Sequence, residues 1–168
     1  MTVFAATRAA TTFPVFKTHG TGLLQVAYGE LAIAVNPVAA DTYELCWLPA
    51  GAKVLGGMLY ASDMDTGIET LDLDIGWAAN GGTGTYDALD ADGLGNLGVM
   101  TGDAFALGNV LVLGNGFLLA GLLATGVHPF FTKKTKIQLT TVATAATFAA
   151  GSVAIAVYYA VDESLAVA

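Results

Sequence analysis

The chain has one cysteine, four prolines, two histidines and six basic residues in a length of 168. A single cysteine excludes an intrachain disulfide, and with it a disulfide-stapled fold. Cys46 stands between Leu45 and Trp47 in an apolar run with no basic residue nearby, so it reads as a buried, inert thiol. His19 and His128 have no metal-ligand spacing to each other or to Cys46, which leaves metal hydrolysis without a ligand set. Ser62, Ser152 and Ser164 sit in no nucleophile-elbow pattern, so acyl transfer is equally unsupported. The reading is therefore of a non-enzyme with no catalytic residue, no metal site and no cofactor. Only 12% of residues are charged, six basic against 14 acidic, for a net charge of −8. Such a chain repels a phosphate backbone, so no nucleic-acid partner is expected.

Apolar residues, by contrast, make up 55% of the chain. That excludes intrinsic disorder and suits one domain with a sizeable core. With so little charge, part of the surface is expected to be hidden in an assembly. Ala104 to Thr132 and Val142 to Val161 are both uncharged and long enough to cross a bilayer as helices. Asn109, Asn115 and five glycines weaken the first as a helix, and the second turns to period-two alternation. Burial in a subunit interface is the better reading, and no membrane partner is expected. Residues 1–8 do not read as a signal peptide, because Arg8 follows the apolar residues and no apolar core comes after it.

Alternation is the strongest secondary-structure signal. Leu71, Leu73, Ile75 and Trp77 alternate with Thr70, Asp72, Asp74 and Gly76, giving an apolar face and an acidic, solvated one. A strand is expected over Thr135 to Val142, where Ile137 and Leu139 oppose Lys136, Gln138 and Thr140. Val153, Ile155, Val157, Tyr159 and Val161 share a face, and the small residues on the other predict a strand covered on both sides. Further strands are expected over 22–28, 30–35, 42–48 and 53–60, with Gly29 as a bulge or tight turn and Leu48-Pro49-Ala50-Gly51 as a turn. The fold class is thus mainly all-β, an antiparallel β-sandwich or jelly roll. Residues 1–21 are expected to form an N-terminal arm and 22–168 the sandwich domain. Between 78 and 134 alternation fades, and an apolar insertion is expected that could hold one or two short helices.

The motifs in that insertion are weak. Gly93-Leu94-Gly95-Asn96-Leu97-Gly98 matches a dinucleotide fingerprint, but acidic residues precede it where an apolar strand is needed. Asp87 to Gly93 has the oxygen ligands of a calcium loop without its twelfth-position glutamate, so a surface polar loop is the better reading. Charge is also segregated. Residues 54–132 hold nine acidic and no basic residues, and Lys133, Lys134 and Lys136 follow at once. An acidic lobe beside a basic patch could orient neighbouring subunits, and an ordinary solvated face is the plainer alternative.

Asp41 to Met58, with its strand, Leu-Pro-Ala-Gly-Ala turn, Lys53 and second apolar strand, resembles small structural proteins from the head genes of tailed bacteriophages. The resemblance continues through Ser62 to Gly67 and Leu71 to Trp77, and resumes at Thr135 to Thr140 and Ala149 to Tyr159. It implies a capsid decoration, or cement, protein: β-rich, a homo-oligomer with a trimer favoured, on the outer surface of the virion capsid. The implied partner is the major capsid protein. A phage tail or baseplate structural protein and a jelly-roll carbohydrate-binding module are the alternatives. Phe4, Phe13 and Phe16 are the candidate anchors of the arm on a capsid neighbour. Phe105, Leu111, Leu113, Phe117, Leu118 and Leu119 are the candidate self-association surface.

Overall fold

A computed structural model describes residues 2–6, 9–10, 23–68, 70–99, 110–113 and 128–162. Among these are nine strands: β1 (Val3–Ala5), β2 (Gln25–Ile33), β3 (Thr42–Leu48), β4 (Ala52–Ala61), β5 (Asp72–Trp77), β6 (Asp90–Val99), β7 (Val110–Leu113), β8 (Thr135–Ala143) and β9 (Gly151–Val161). They form two sheets, ordered β1-β3-β8-β5-β6 and β2-β9-β4-β7. Every pairing is antiparallel except β1 with β3. The expected antiparallel β-sandwich is the observed fold.

The core lies where the alternating apolar faces meet. Val153, Ile155, Val157, Tyr159 and Val161 of β9 are all buried, as are Leu73 and Ile75 of β5 and Ile137 and Leu139 of β8. Each such side chain contributes roughly 1.5–3 kcal/mol on leaving water, which is what holds two sheets face to face. Cys46 is buried, as its surroundings in sequence indicate.

Several expectations need correction. The first two predicted strands are one, β2, and Gly29 is neither a turn nor a bulge but pairs in register with Ile155. A Cβ at Gly29 would lie 2.0 Å from the Leu45 carbonyl oxygen of the opposite sheet. Glycine is there because two backbones approach closely. The turn after β3 is Pro49–Ala52, one residue later than read. The Ala52 N–H donates to the Pro49 carbonyl at 3.2 Å, and Gly51 takes φ 77° at the third position.

The insertion is not strand-free. β6 and β7 extend the two sheets as edge strands, one in each. β6 escapes an alternation test because glycine replaces side chains where the Trp77 ring lies; a Cβ on Gly93 would meet that ring at 2.3 Å. The dinucleotide-like Gly93–Gly98 run is therefore strand, not a phosphate loop. The acidic face of β5 is not solvated either, since Asp74 is only 8% exposed between flanking strands β8 and β6. The uncharged 142–161 stretch is the end of β8 and all of β9. No helix among the described residues is long and apolar enough to cross a membrane.

Candidate functional site

Two surfaces of the sandwich stand out. The first is the outer face of the smaller sheet. Its register sets Ala156 between Tyr28 and Met58, and Ala154 between Glu30 and Tyr60. Val26 is 56% exposed and Tyr28 42%, while Ala154, Ala156, Tyr158 and Ala160 are half-buried. Among the described residues the small face of β9 is therefore only partly covered, where coverage on both sides was expected. Glu30 accepts a hydrogen bond from the Tyr28 hydroxyl at 3.1 Å.

The second is a cleft of 340 Å³ on the larger sheet, lined by Glu44, Trp47, Ala78, Ala79, Asn80, Lys133, Lys134, Thr135 and Lys136. Trp47 faces Lys136 across the β3–β8 pairing. The Lys134 and Lys136 ammonium groups lie 5.0 and 4.9 Å from the centre of its ring. At a partly exposed site each contact contributes about 0.5–1 kcal/mol, and together they hold two cations side by side. Lys136 also pairs with Glu44 at 2.5 Å. The indole N–H donates to the carbonyls of Ala9 and Ala10 at 3.0 and 3.2 Å, so the segment at residues 9–10 fixes the ring.

The far wall is fixed by Asp87, which the sequence reading places in a surface polar loop rather than a calcium loop. It is 2% exposed, and both oxygens are already filled. Oδ1 accepts from the Asn80 amide at 2.8 Å and the Thr132 N–H at 3.0 Å. Oδ2 accepts from the Gly84 N–H at 2.7 Å and the Thr132 hydroxyl at 2.5 Å. Burial opposes the charge, but the Thr132 hydroxyl, the Asn80 amide and the two N–H groups outweigh it and hold the carboxyl below its usual range. Asn80 also donates to the Lys133 carbonyl at 3.2 Å, which ties this knot to the lysines. Among the described residues no group of three His, Cys, Asp or Glu could hold a metal ion. Asp87→Asn should lower stability by about 2 kcal/mol, read as a lower urea midpoint, because an amide nitrogen cannot accept where a carboxylate oxygen did. Millimolar calcium should leave the melting temperature of the unaltered protein unchanged; a rise of several degrees would show that the loop binds the ion after all.

Of the predicted anchors, Phe4 lies on β1 and stacks on Tyr43 of its own chain, with ring centres 5.2 Å apart. Leu111 and Leu113 lie on β7, in register with Leu59 and Gly57 of β4, so this part of the insertion is strand rather than helix. Phe13, Phe16, Phe105, Phe117, Leu118 and Leu119 lie outside the described residues. The basic run 133–136 was legible as a patch. Its companions Trp47, Glu44 and Asn80 were not, because they reach the cleft from distant points in the chain.

No family model matches the chain, and neither does any curated protein. Two solved structures do. A chain of the capsid of Ralstonia phage GP4 superposes with a TM-score of 0.71 at 19% identity, over 95% of this chain and 98% of that one. A chain of the cyanophage Pam1 capsid asymmetric unit superposes with a TM-score of 0.61 at 26% identity, over 94% and 99%. Both neighbours come from phage capsids. The GP4 likeness is one of fold. In each case the match runs nearly end to end, so the matched capsid chains are about the size of this one.

Proposed function

We propose that the protein is a structural subunit of a phage capsid, and within it a decoration, or cement, protein on the outer surface of the head. One observation carries this reading: two phage capsids contain a chain that this fold spans almost completely. The open apolar face of the smaller sheet supports it, since such a face suits a chain covered by other protein. The role is mechanical rather than catalytic. An oligomer, with a trimer favoured, bridges several major capsid subunits, and weak contacts add through high effective concentration. Phe4, Phe13 and Phe16 are the proposed contacts to a capsid neighbour. Phe105, Leu111, Leu113, Phe117, Leu118 and Leu119 are the proposed self-association residues.

Mass spectrometry of separately purified heads and tails tests the assignment. The chain should appear in the head fraction, and a membrane-impermeant amine label should modify its lysines on intact heads. Recovery from tails alone would move the protein to the tail, and lysines labelled only after head disruption would place it inside the shell.

A further inference from the structure

The lysine cleft and the acidic edge of the larger sheet are complementary, yet they do not meet within one chain. Lys133 and Lys134 have no carboxylate partner among the described residues, whereas Lys136 is paired with Glu44. The Trp47 ring holds the Lys134 ammonium, and the Asn80 bond to the Lys133 carbonyl holds the Lys133 backbone, so part of the ordering a ligand would impose is already in place. The cleft's 340 Å³ is about ten water volumes, room for carboxylate side chains. Edge strand β6 begins with half-buried Asp90 and exposed Asp92, neither paired with a cation among the described residues. Burial first, and then the neighbouring Asp92, push the Asp90 carboxyl up, as expected of two acids without a counter-charge. β5 and β8 lie between that edge and β3, which bears Trp47.

We propose that the cleft receives the acidic β6 edge of a second copy of this chain, with Lys133 and Lys134 pairing with Asp92 and Asp90. The occupant follows from charge segregation: residues 54–132 hold nine acids and no Lys or Arg, and the basic cluster follows directly. Among the described residues β6 ends its sheet and no strand pairs with its outer side, which suits pairing with another molecule. Two different patches meet in this contact, so it runs head to tail and closes into a ring wherever the rotation allows. The inference rests on the reading of the protein as an assembling capsid subunit.

Sedimentation of the full chain at two salt concentrations tests it. Self-association should weaken about tenfold between roughly 0.05 and 0.5 M NaCl, since ion pairs at a partly solvated contact are screened. The double variant Lys133→Glu, Lys134→Glu should associate about tenfold more weakly at low salt and reverse the salt response, because acids then face acids and salt screens their repulsion. Mixing it with Asp92→Lys should give stronger association than either variant shows alone. Lys134→Glu, at an exposed position, serves if the double variant fails to fold. Wild-type association by the variants at both salts would overturn the proposal. Normal self-association with lost binding to empty shells would also overturn it, by assigning the cleft to the shell protein. Salt-dependent pairing by a chain absent from purified heads would sink the head assignment and leave this contact standing.

Discussion

Asp65→Ala should cost about 3–5 kcal/mol, one of the two largest single-residue losses expected in the sandwich. Asp65 is 6% exposed, in the connection between β4 and β5. Its Oδ2 accepts from the N–H groups of Thr70, Leu71 and Ala146 at 2.7, 3.1 and 3.2 Å, and Oδ1 from Thr147 at 2.9 Å. One carboxylate thereby joins the β4–β5 connection to the β8–β9 connection. Alanine leaves four backbone donors without that acceptor, and little water can reach them. The urea midpoint at neutral pH should fall accordingly, with the melting temperature down by about 10 °C.

The same residue gives a pH signature. Burial alone would raise its pKa, but the four N–H donors outweigh burial and bring it down to about 2 from 3.8. A carboxyl depressed in the folded state stabilises above its unfolded pKa, and that stability is lost as pH falls through the folded value. Linkage sets a ceiling of about 2.5 kcal/mol on that contribution. The gap between wild type and Asp65→Ala should therefore narrow between about pH 4 and pH 2. A gap constant across that window would show that charge on Asp65 contributes nothing.

Gly29→Ala is the second large effect, expected at more than about 3 kcal/mol and seen as loss of soluble protein. The new Cβ would stand 2.0 Å from the Leu45 carbonyl oxygen and 2.5 Å from its carbon. Both are backbone atoms of the facing sheet, so no rotamer change relieves the overlap and the sheets must separate. Gly81→Ala is the control. Its Cβ would enter open space, and only the φ of 73° opposes it, a cost of about 1 kcal/mol. Equal melting temperatures for Gly29→Ala and wild type would refute the close approach of β2 and β3.

The strands that could be read in advance were those with one apolar and one polar side. β3 was placed at Thr42–Leu48 and β8 within a residue of its end because side-chain period is local information. β6 was missed because its glycines are dictated by the Trp77 ring, a neighbour that lies on β5. β7 was missed because a four-residue apolar strand is indistinguishable from a helix fragment in an uncharged run. The acids were misjudged for a related reason. Asp74 and Asp87 read as solvated, yet the fold buries them, and Asp65 and Asp87 are held by donors from loops far along the chain.

By itself, then, the sequence determined the class of fold and the segregation of charge. Those follow from residue type and spacing, which need no partner to be read. Tertiary structure alone decided which acids are structural, where Trp47 meets the lysines and which apolar face is left open. Those depend on contacts between residues tens of positions apart, and no local pattern encodes them.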